Sequence, residues 1–147
     1  MRRAEVRVRE RGLRMTPVRK RVLEFLLEEH RALGAYEVLE RLAAEGFGKQ
    51  PPVAYRALDF LVEAGLAHRV QRLNAFAACQ HTGDAHAPAF LICRNCRAIA
   101  EADASDLRAH LGDLAAAHGF TPERSTIEAL GLCNACLAEG AGAGAEP

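Results

Sequence analysis

The sequence contains two pairs of cysteines with the spacing C-x-x-C, Cys93 with Cys96 and Cys133 with Cys136. A two-residue gap lets both thiolates of a pair bind one ion from a tight turn, and four sulfur ligands in a tetrahedron suit zinc. Such a site leaves no position open for a substrate, so its role is structural. The two pairs therefore predict one structural Zn²⁺ that joins distant segments of the chain.

Two other interpretations of the paired cysteines are a redox-active motif and an iron–sulfur cluster. Neither pair opens a helix after a strand of the thioredoxin type, and the spacing matches neither common ferredoxin pattern. The beginning of the chain lacks the apolar stretch of a signal peptide, and no run of about 18 apolar residues is present. We therefore expect a cytoplasmic protein with no membrane partner, in which structural disulfides are disfavoured.

The fifth cysteine, Cys79, lies in a second group of potential ligands. His68, His81 and His86 flank it in the sequence, and Glu101 follows the first cysteine pair, where a strand could return it. A single histidine or cysteine is more often a surface or core residue than a ligand. Together, however, thiolate, imidazole and carboxylate groups would bind zinc at a site that fixes the angle between two halves of the chain.

The net charge of zero conceals an asymmetry along the 147 residues. Residues 1–72 carry 13 Arg and 2 Lys against 10 acidic residues, whereas residues 73–147 carry 4 Arg against 9 acidic residues. The first 21 residues alone hold 9 basic and 2 acidic side chains, a distribution that suits a DNA phosphate backbone. Residues 1–12 are interpreted as a basic arm, with a solvated basic tail as the alternative.

The elements that position these residues begin with three predicted helices. Thr16-Pro17 predicts the start of the first helix, which extends to about residue 30. The second helix is predicted over residues 35–45 and the third over residues 51–64. Apolar residues at helical spacing predict the core of this half: Val18, Val22, Phe25, Leu26, Val38, Leu39, Leu42, Ala54, Ala57, Leu58 and Leu61.

Two predicted strands, residues 66–70 and 76–79, follow these helices and form a β-hairpin. Helices followed by a hairpin are typical of a winged helix, whose third helix enters the major groove of DNA. Arg56 lies on the polar side of that helix with Tyr55 on its flank, and an arginine there can bind a guanine edge at two positions. A helical bundle with an attached hairpin is the alternative.

The second half of the sequence predicts a small α+β domain. Strands at residues 89–93 and 97–102 surround the first cysteine pair, a helix covers residues 105–118, and a strand at 125–130 leads to the second pair. An open edge of this sheet invites pairing with a second copy of the chain. The predicted organisation is residues 1–79, a linker at 80–88, residues 89–137 and a disordered tail at 138–147.

The run QPPVAYRALDFL at residues 50–61, together with His68, Cys79, His86 and the two cysteine pairs, resembles the ferric-uptake-regulator (Fur) superfamily. The likeness extends over about residues 12–137 and is greatest to the zinc-sensing regulators of that superfamily. It implies an α+β homodimer with an N-terminal winged helix-turn-helix DNA-binding domain and a small C-terminal dimerisation domain. It also implies a zinc-responsive repressor of zinc-uptake genes, not an enzyme, with no small organic substrate.

Carried over residue by residue, the resemblance assigns two kinds of zinc site to each subunit. The structural site has Cys93, Cys96, Cys133 and Cys136. The regulatory site has His68, Cys79, His86 and Glu101. The thiolate in the regulatory site favours a zinc sensor over the iron and peroxide sensors of the superfamily, because iron(II) and manganese sites prefer histidine and carboxylate ligands. Three more histidines are weaker candidates: His81, His110 and His118.

The resemblance also names the residues that would contact double-stranded DNA. Tyr55 and Arg56 match the contacts of the recognition helix, whereas Tyr36 and Arg14 match more loosely, as phosphate-side and minor-groove contacts. A two-fold dimer predicts an inverted-repeat operator, and we expect it to be AT-rich. An iron or peroxide sensor of the superfamily and a zinc-stabilised adaptor without regulated DNA binding are the alternative functions.

Overall fold

The structure is a computed structural model that describes residues 1–80, 88–123 and 125–140. Its contacts divide the chain into two units, Met1–Gly83 and Asp84–Pro147. In the described part of the first unit the helices are α1 (Arg2–Glu10), α2 (Pro17–Glu28), α3 (Ala35–Ala44) and α4 (Pro51–Glu63). The strands of that unit are β1 (Leu33–Gly34), β2 (Ala67–Val70) and β3 (Ala75–Ala78). No helix within the described ranges has the length and apolar character needed to cross a bilayer.

The three predicted helices are confirmed as α2, α3 and α4, and local contacts explain where they start and stop. The hydroxyl of Thr16 accepts a hydrogen bond from the backbone N–H of Arg19 at 3.4 Å, which caps α2. The N–H of Gly34 donates to the carboxylate of Glu37 at 2.9 Å and secures the start of α3. Gly65 follows α4 with φ of +71°, a left-handed conformation that favours glycine.

The core of the first unit lies where α4 packs against α2 and α3. Nine of the residues predicted for this core are at most 3% exposed: Val22, Phe25, Leu26, Val38, Leu42, Ala54, Ala57, Leu58 and Leu61. Val18 and Leu39 pack against this cluster while partly exposed. Because the inner face of α4 begins with alanines, its backbone can approach both neighbouring helices closely.

The hairpin of the first unit is extended by a short third strand. β3 lies between β1 and β2 and is antiparallel to both. The connection from β2 to β3 is a single 3₁₀ turn, Gln71–Leu73, followed by Asn74 with φ of 46°. The side-chain oxygen of Asn74 accepts a hydrogen bond from the guanidinium of Arg69 at 2.8 Å, which fixes the tip of the hairpin. Helices followed by this antiparallel sheet form the predicted winged helix.

The interpretation of residues 1–12 as a basic arm is wrong, because most of the segment is helix α1. Ala4 and Val8, one turn apart, are 7% and 1% exposed and belong to the core cluster. Arg11, just after α1, donates a hydrogen bond to the carbonyl of Glu63 at the end of α4 at 3.2 Å. Two small apolar residues among several arginines gave too weak a periodic signal to predict this helix.

The second unit is built on a sheet with β4 in its centre. Its described strands are β4 (Pro88–Cys93), β5 (Ile99–Asp103) and β6 (Ile127–Gly131), and its helices are α5 (Ser105–Ala117) and α6 (Asn134–Ala138). β4 is antiparallel to β5 and parallel to β6. The predicted strands and α5 are confirmed, whereas α6 was not predicted. Cys133 is the N-cap of α6, which follows β6, so the expectation that neither cysteine pair opens a helix after a strand is wrong for the second pair. The α+β class assigned from the sequence therefore holds for both units.

Two predicted segments extend beyond the described residues. Ala138, assigned to the tail, is the last residue of α6, so the predicted tail begins too early. Residues 141–147 of that tail and residues 81–87 of the predicted linker lie outside the described part of the chain. The linker therefore stays a prediction.

Three leucines of α5 are exposed. Leu107, Leu111 and Leu114 are 54%, 37% and 59% exposed, whereas Ala115 of the same helix is buried. Ala115 is the one buried residue of α5, and the leucines of this helix lie on the surface of the chain.

The packing of α1 gives a first testable prediction. We expect Val8→Ala to lower the free energy of unfolding by about 1–2 kcal/mol, because two fully buried methyl groups are lost. Val6 lies on the same helix but is 50% exposed, so Val6→Ala is the matched control and should change stability by less than about 0.5 kcal/mol. Urea unfolding followed by circular dichroism measures both. Equal, small effects of the two changes would contradict the packing of α1.

Candidate metal centres and DNA-binding surface

Parallel pairing of β4 with β6 brings the two cysteine pairs to one edge of the sheet. Cys93, the last residue of β4, pairs with Gly131, the last residue of β6. The N–H of Arg94 donates to the carbonyl of Gly131 at 2.9 Å, so the pairing continues into the first C-x-x-C turn. Because the carboxyl ends of parallel strands lie at the same edge of a sheet, the two turns that follow them meet there.

The geometry of the four cysteines fits a zinc ion. Their sulfur atoms all lie within 4.8 Å of one another, and those of Cys96 and Cys133 are 3.8 Å apart. Four sulfurs about 2.3 Å from a tetrahedral zinc ion are separated by about 3.8 Å, whereas the sulfurs of a disulfide are about 2.05 Å apart. None of the five cysteines of the chain is in a disulfide. The donor set and the spacing thus suit a closed tetrahedral site.

Hydrogen bonds to sulfur prepare this cluster for a metal. The backbone N–H groups of Cys133 and Cys96 donate to the sulfur of Cys93 and lower the pKa of its thiol to about 6. The side chain of Asn95 donates to the sulfur of Cys136 at 3.3 Å. That bond lowers the pKa of Cys136, but the neighbouring thiol of Cys133 and burial act against it and raise the pKa to about 12. These contacts thus favour the thiolate form of Cys93 and the thiol form of Cys136 at neutral pH.

Asn95 is a residue of this centre that the sequence analysis missed. It stands inside the first C-x-x-C motif and contacts a cysteine of the second, 41 residues away. Its place between the candidate ligands Cys93 and Cys96 was the one signal in the sequence for such a role. Its contact with Cys136 depends on the pairing of β4 with β6.

The first unit contains a second, smaller group of candidate ligands. His68 lies in β2 and Cys79 follows β3, the strand that pairs with β2. The N–H of Cys79 donates to the carbonyl of Leu66 at 2.9 Å, which continues the pairing past the end of the strands. The ligand atoms of His68 and Cys79 lie within 4.8 Å of each other, and Cys79 is 4% exposed. The hairpin thus provides one imidazole and one thiol at the same place.

The remaining predicted ligands are in the second unit or outside the described residues. Glu101 lies in β5, opposite Phe90 of β4, and is half-buried. His86 and the weaker candidate His81 lie outside the described residues. His110 is exposed on α5, and His118 is the residue that ends that helix. The complete ligand set therefore stays a prediction.

The predicted DNA contacts all lie on the surface of the first unit. Arg56 is exposed on α4 and Tyr55 beside it is 40% exposed. Tyr36, at the start of α3, is 68% exposed. Arg14 is exposed between α1 and α2. The first unit thus presents four side chains that can bind bases or phosphates, and their contact with DNA stays a prediction.

Comparison with known proteins finds a matching family model and relatives that are named zinc uptake regulation proteins. Residues 10–130 match the sequence model of the Ferric uptake regulator family. The zinc uptake regulation protein of Escherichia coli (strain K12) is 38% identical over 130 residues, which are 87% of this chain and 75% of that protein. The zinc uptake regulation protein of Mycobacterium tuberculosis (strain ATCC 25618 / H37Rv) is 27% identical over 130 residues, 85% of this chain and 95% of that protein.

Two solved structures are similar over nearly the whole chain. A zinc uptake regulator complexed with zinc and DNA has a TM-score of 0.89 at 37% identity, covering 94% of this chain and 93% of that one. The crystal structure of holo XcZur has a TM-score of 0.84 at 40% identity, covering 93% of this chain and 96% of that one.

The thiol pKa values predict how zinc binding to the four cysteines depends on pH. Affinity should fall with acidity, because protons compete with the metal for each thiolate. Above about pH 6 the Cys93 sulfur is already deprotonated, and below it Cys93 must also lose a proton. We therefore expect the slope of log affinity against pH to steepen by about one below pH 6.

Competition against a chromophoric chelator from about pH 8 to about pH 5 measures this slope. Cys79→Ser is the control, because Cys79 is outside the four-cysteine cluster and its loss should leave the change of slope in place. A single constant slope across the range would show that Cys93 is not the preformed thiolate.

Proposed function

Because this chain belongs to the ferric uptake regulator family, we propose that it is a zinc-responsive transcriptional repressor that controls zinc-uptake genes. The observation that carries the proposal is its likeness, over nearly the whole chain, to a zinc uptake regulator complexed with zinc and DNA. The exposed side chains of α4 and the two groups of sulfur-containing ligands supply the chemistry that this function needs. We expect a cytoplasmic DNA-binding protein without enzymatic activity.

The four-cysteine cluster is proposed to hold one structural zinc in each subunit. The second unit has a small set of buried apolar residues among those described: Ala89, Phe90, Ile92, Cys93, Ala104, Ala115 and Cys136. Such a small core supplies little free energy of folding, and a metal can supply the rest. A zinc ion bound by both pairs would fasten the ends of β4 and β6 together and hold α6 against them.

The regulatory zinc is proposed to bind His68, Cys79, His86 and Glu101. His68 and Cys79 already lie together on the hairpin, and the buried thiol of Cys79 favours zinc over iron(II) or manganese. The other two ligands follow in the chain beyond the hairpin, so one ion would join sequence on both sides of the proposed linker. Binding there would favour one arrangement of the DNA-binding half relative to the rest of the dimer.

This mechanism is a shift between populations, and its energetic demand is modest. A ligand changes such an equilibrium only by its difference in affinity for the two arrangements. A change from 1:99 to 99:1 needs ~5.5 kcal/mol. Zinc sites with several protein ligands have binding free energies of about 10–16 kcal/mol in zinc-finger peptides, which leaves sufficient free energy for the switch.

The active species is proposed to be a homodimer that binds an inverted repeat in double-stranded DNA. The exposed leucines of α5 and the edges of the sheet in the second unit offer an apolar surface to a second copy. A two-fold dimer presents two copies of α4, which matches two half-sites of opposite orientation. Arg56 and Tyr55 would contact bases in each half-site, with Tyr36 and Arg14 on phosphates and the minor groove.

The zinc response can be separated from the structural zinc by two cysteine substitutions. We expect wild-type protein to gain affinity for an AT-rich inverted-repeat duplex as free zinc rises in a metal buffer, measured by fluorescence anisotropy. Cys79→Ser should keep one zinc per subunit but lose most of the zinc-dependent gain, because the regulatory site loses its thiolate. Cys96→Ser should instead lose the structural zinc and lower the unfolding temperature of the second unit.

Zinc content by mass spectrometry and thermal unfolding accompany these titrations. DNA binding that ignores zinc in the wild type would contradict the regulator proposal itself. A normal zinc response in Cys79→Ser would contradict only the assignment of the regulatory ligands.

The recognition helix is tested by Arg56→Ala. We expect a loss of about 1–3 kcal/mol of operator binding and of most of the preference for the operator over unrelated DNA, with zinc content unchanged. Arg108→Ala is the control for the loss of one exposed arginine in the second unit. Because Arg108 lies on α5 and donates to the carbonyl of Ser125 at 3.1 Å, the dimerisation and thermal unfolding of this variant are measured as well. Retained operator preference in Arg56→Ala would reject α4 as the recognition helix.

A further inference from the structure

Arg19 makes two contacts that join separate parts of the first unit. Its guanidinium carbon lies 3.8 Å from the centre of the Phe60 ring, within the range of a cation–π interaction. Its Nη1 atom donates a hydrogen bond to the backbone carbonyl of Arg14 at 2.6 Å. The side chain is half-buried, and the backbone N–H of Arg19 is held by the cap at Thr16. One arginine in the first turn of α2 thus connects α4 with the segment that precedes α2.

Both contacts end next to residues proposed to bind DNA. Phe60 is one turn after Arg56 on α4, and residues four apart in a helix are neighbours on its surface. Arg14, whose carbonyl accepts the other contact, has an exposed side chain that is also proposed to bind DNA. Leu13 and Met15, on either side of Arg14, pack against the core, so the segment is anchored on both sides. Arg19 adds the connection between this segment and the recognition helix.

We propose that Arg19 is a positioning residue that holds the Arg14 segment against α4 and so fixes the distance between Arg14 and Arg56 on DNA. The inference rests on the proposed DNA-binding function and adds a specific role for a residue within it. A fixed distance matters because Arg14 and Arg56 would have to reach different parts of the same half-site. Without Arg19, Arg14 would remain exposed but would be held less well relative to α4.

The contacts of Arg19 distinguish this role from a direct contact with phosphate. The aromatic ring covers one face of its guanidinium, and the Arg14 carbonyl occupies one of its N–H donors. A lysine would keep the positive charge but not the planar group that stacks and donates at the same time. Arg19→Lys should therefore behave as a loss of positioning, whereas a simple phosphate contact would survive this change in large part.

The test is a double-mutant cycle on operator binding with Arg14→Ala and Arg19→Lys at saturating zinc. We expect each single change to weaken binding about fivefold, and the double variant to bind less than about twofold more weakly than either, because both changes remove the same contact. Arg19→Lys keeps the positive charge at position 19. It should nevertheless reduce the slope of log affinity against log salt concentration by about one, as Arg14→Ala does. Phe60→Leu should reproduce the effect of Arg19→Lys.

Lys20 provides the matched control, because it carries the same charge on the next residue and pairs with Glu5 at 2.9 Å. The effects of Lys20→Ala and Arg14→Ala should multiply, and thermal unfolding and zinc content confirm that every variant is folded. Multiplying effects of Arg14→Ala and Arg19→Lys, or wild-type affinity in Arg19→Lys, would overturn the positioning role alone. Absence of zinc-dependent operator binding in the wild type would overturn the proposed function and this role together.

Discussion

The parallel pairing of β4 with β6 is the constraint on which the second unit depends. The cysteines of the two pairs are about forty residues apart in sequence, and no local turn could bring them together. Once β6 lies beside β4, their last residues are neighbours, and each C-x-x-C turn begins at the same edge of the sheet. The cluster, the contact from Asn95 and the placement of α6 all follow from that register.

The first unit depends on a different kind of interaction, the close packing of α4. Alanines on the inner face of this helix let α2 and α3 approach it, while Arg56 and Tyr55 stay on the outer side. Arginines from the N-terminal segment then contact α4 at two places: Arg11 at the carbonyl of Glu63, and Arg19 at the ring of Phe60. Some of the arginines that give this segment its basic character thus also contact and stabilise the helix that would bind the DNA.

Local signals explain which parts of this structure the sequence could predict. The Thr16 cap and the apolar spacing of α2 to α4 act within a few residues, and these signals predict all three helices. Helix α1 was missed because Ala4 and Val8 stabilise it through packing on the core, a tertiary effect that composition does not show. The cysteine motifs indicated a metal from residue type and spacing alone. The contacts of Arg19 and Asn95 join distant segments, so no sequence pattern contained them.

With zinc in the four-cysteine cluster, as proposed, the small core of the second unit would link zinc supply to the amount of the protein as well as to its binding of DNA. Cys93 and Cys136 are both metal ligand candidates and buried residues of that core, so an empty cluster would leave two of its few buried positions as cysteines without a metal. A chain synthesised in a zinc-starved cell would have a weakly consolidated dimerisation half and would be an easier substrate for proteases. Zinc scarcity would then relieve repression through two processes. Release from DNA would act on a short timescale, and degradation of the protein would act on a longer one.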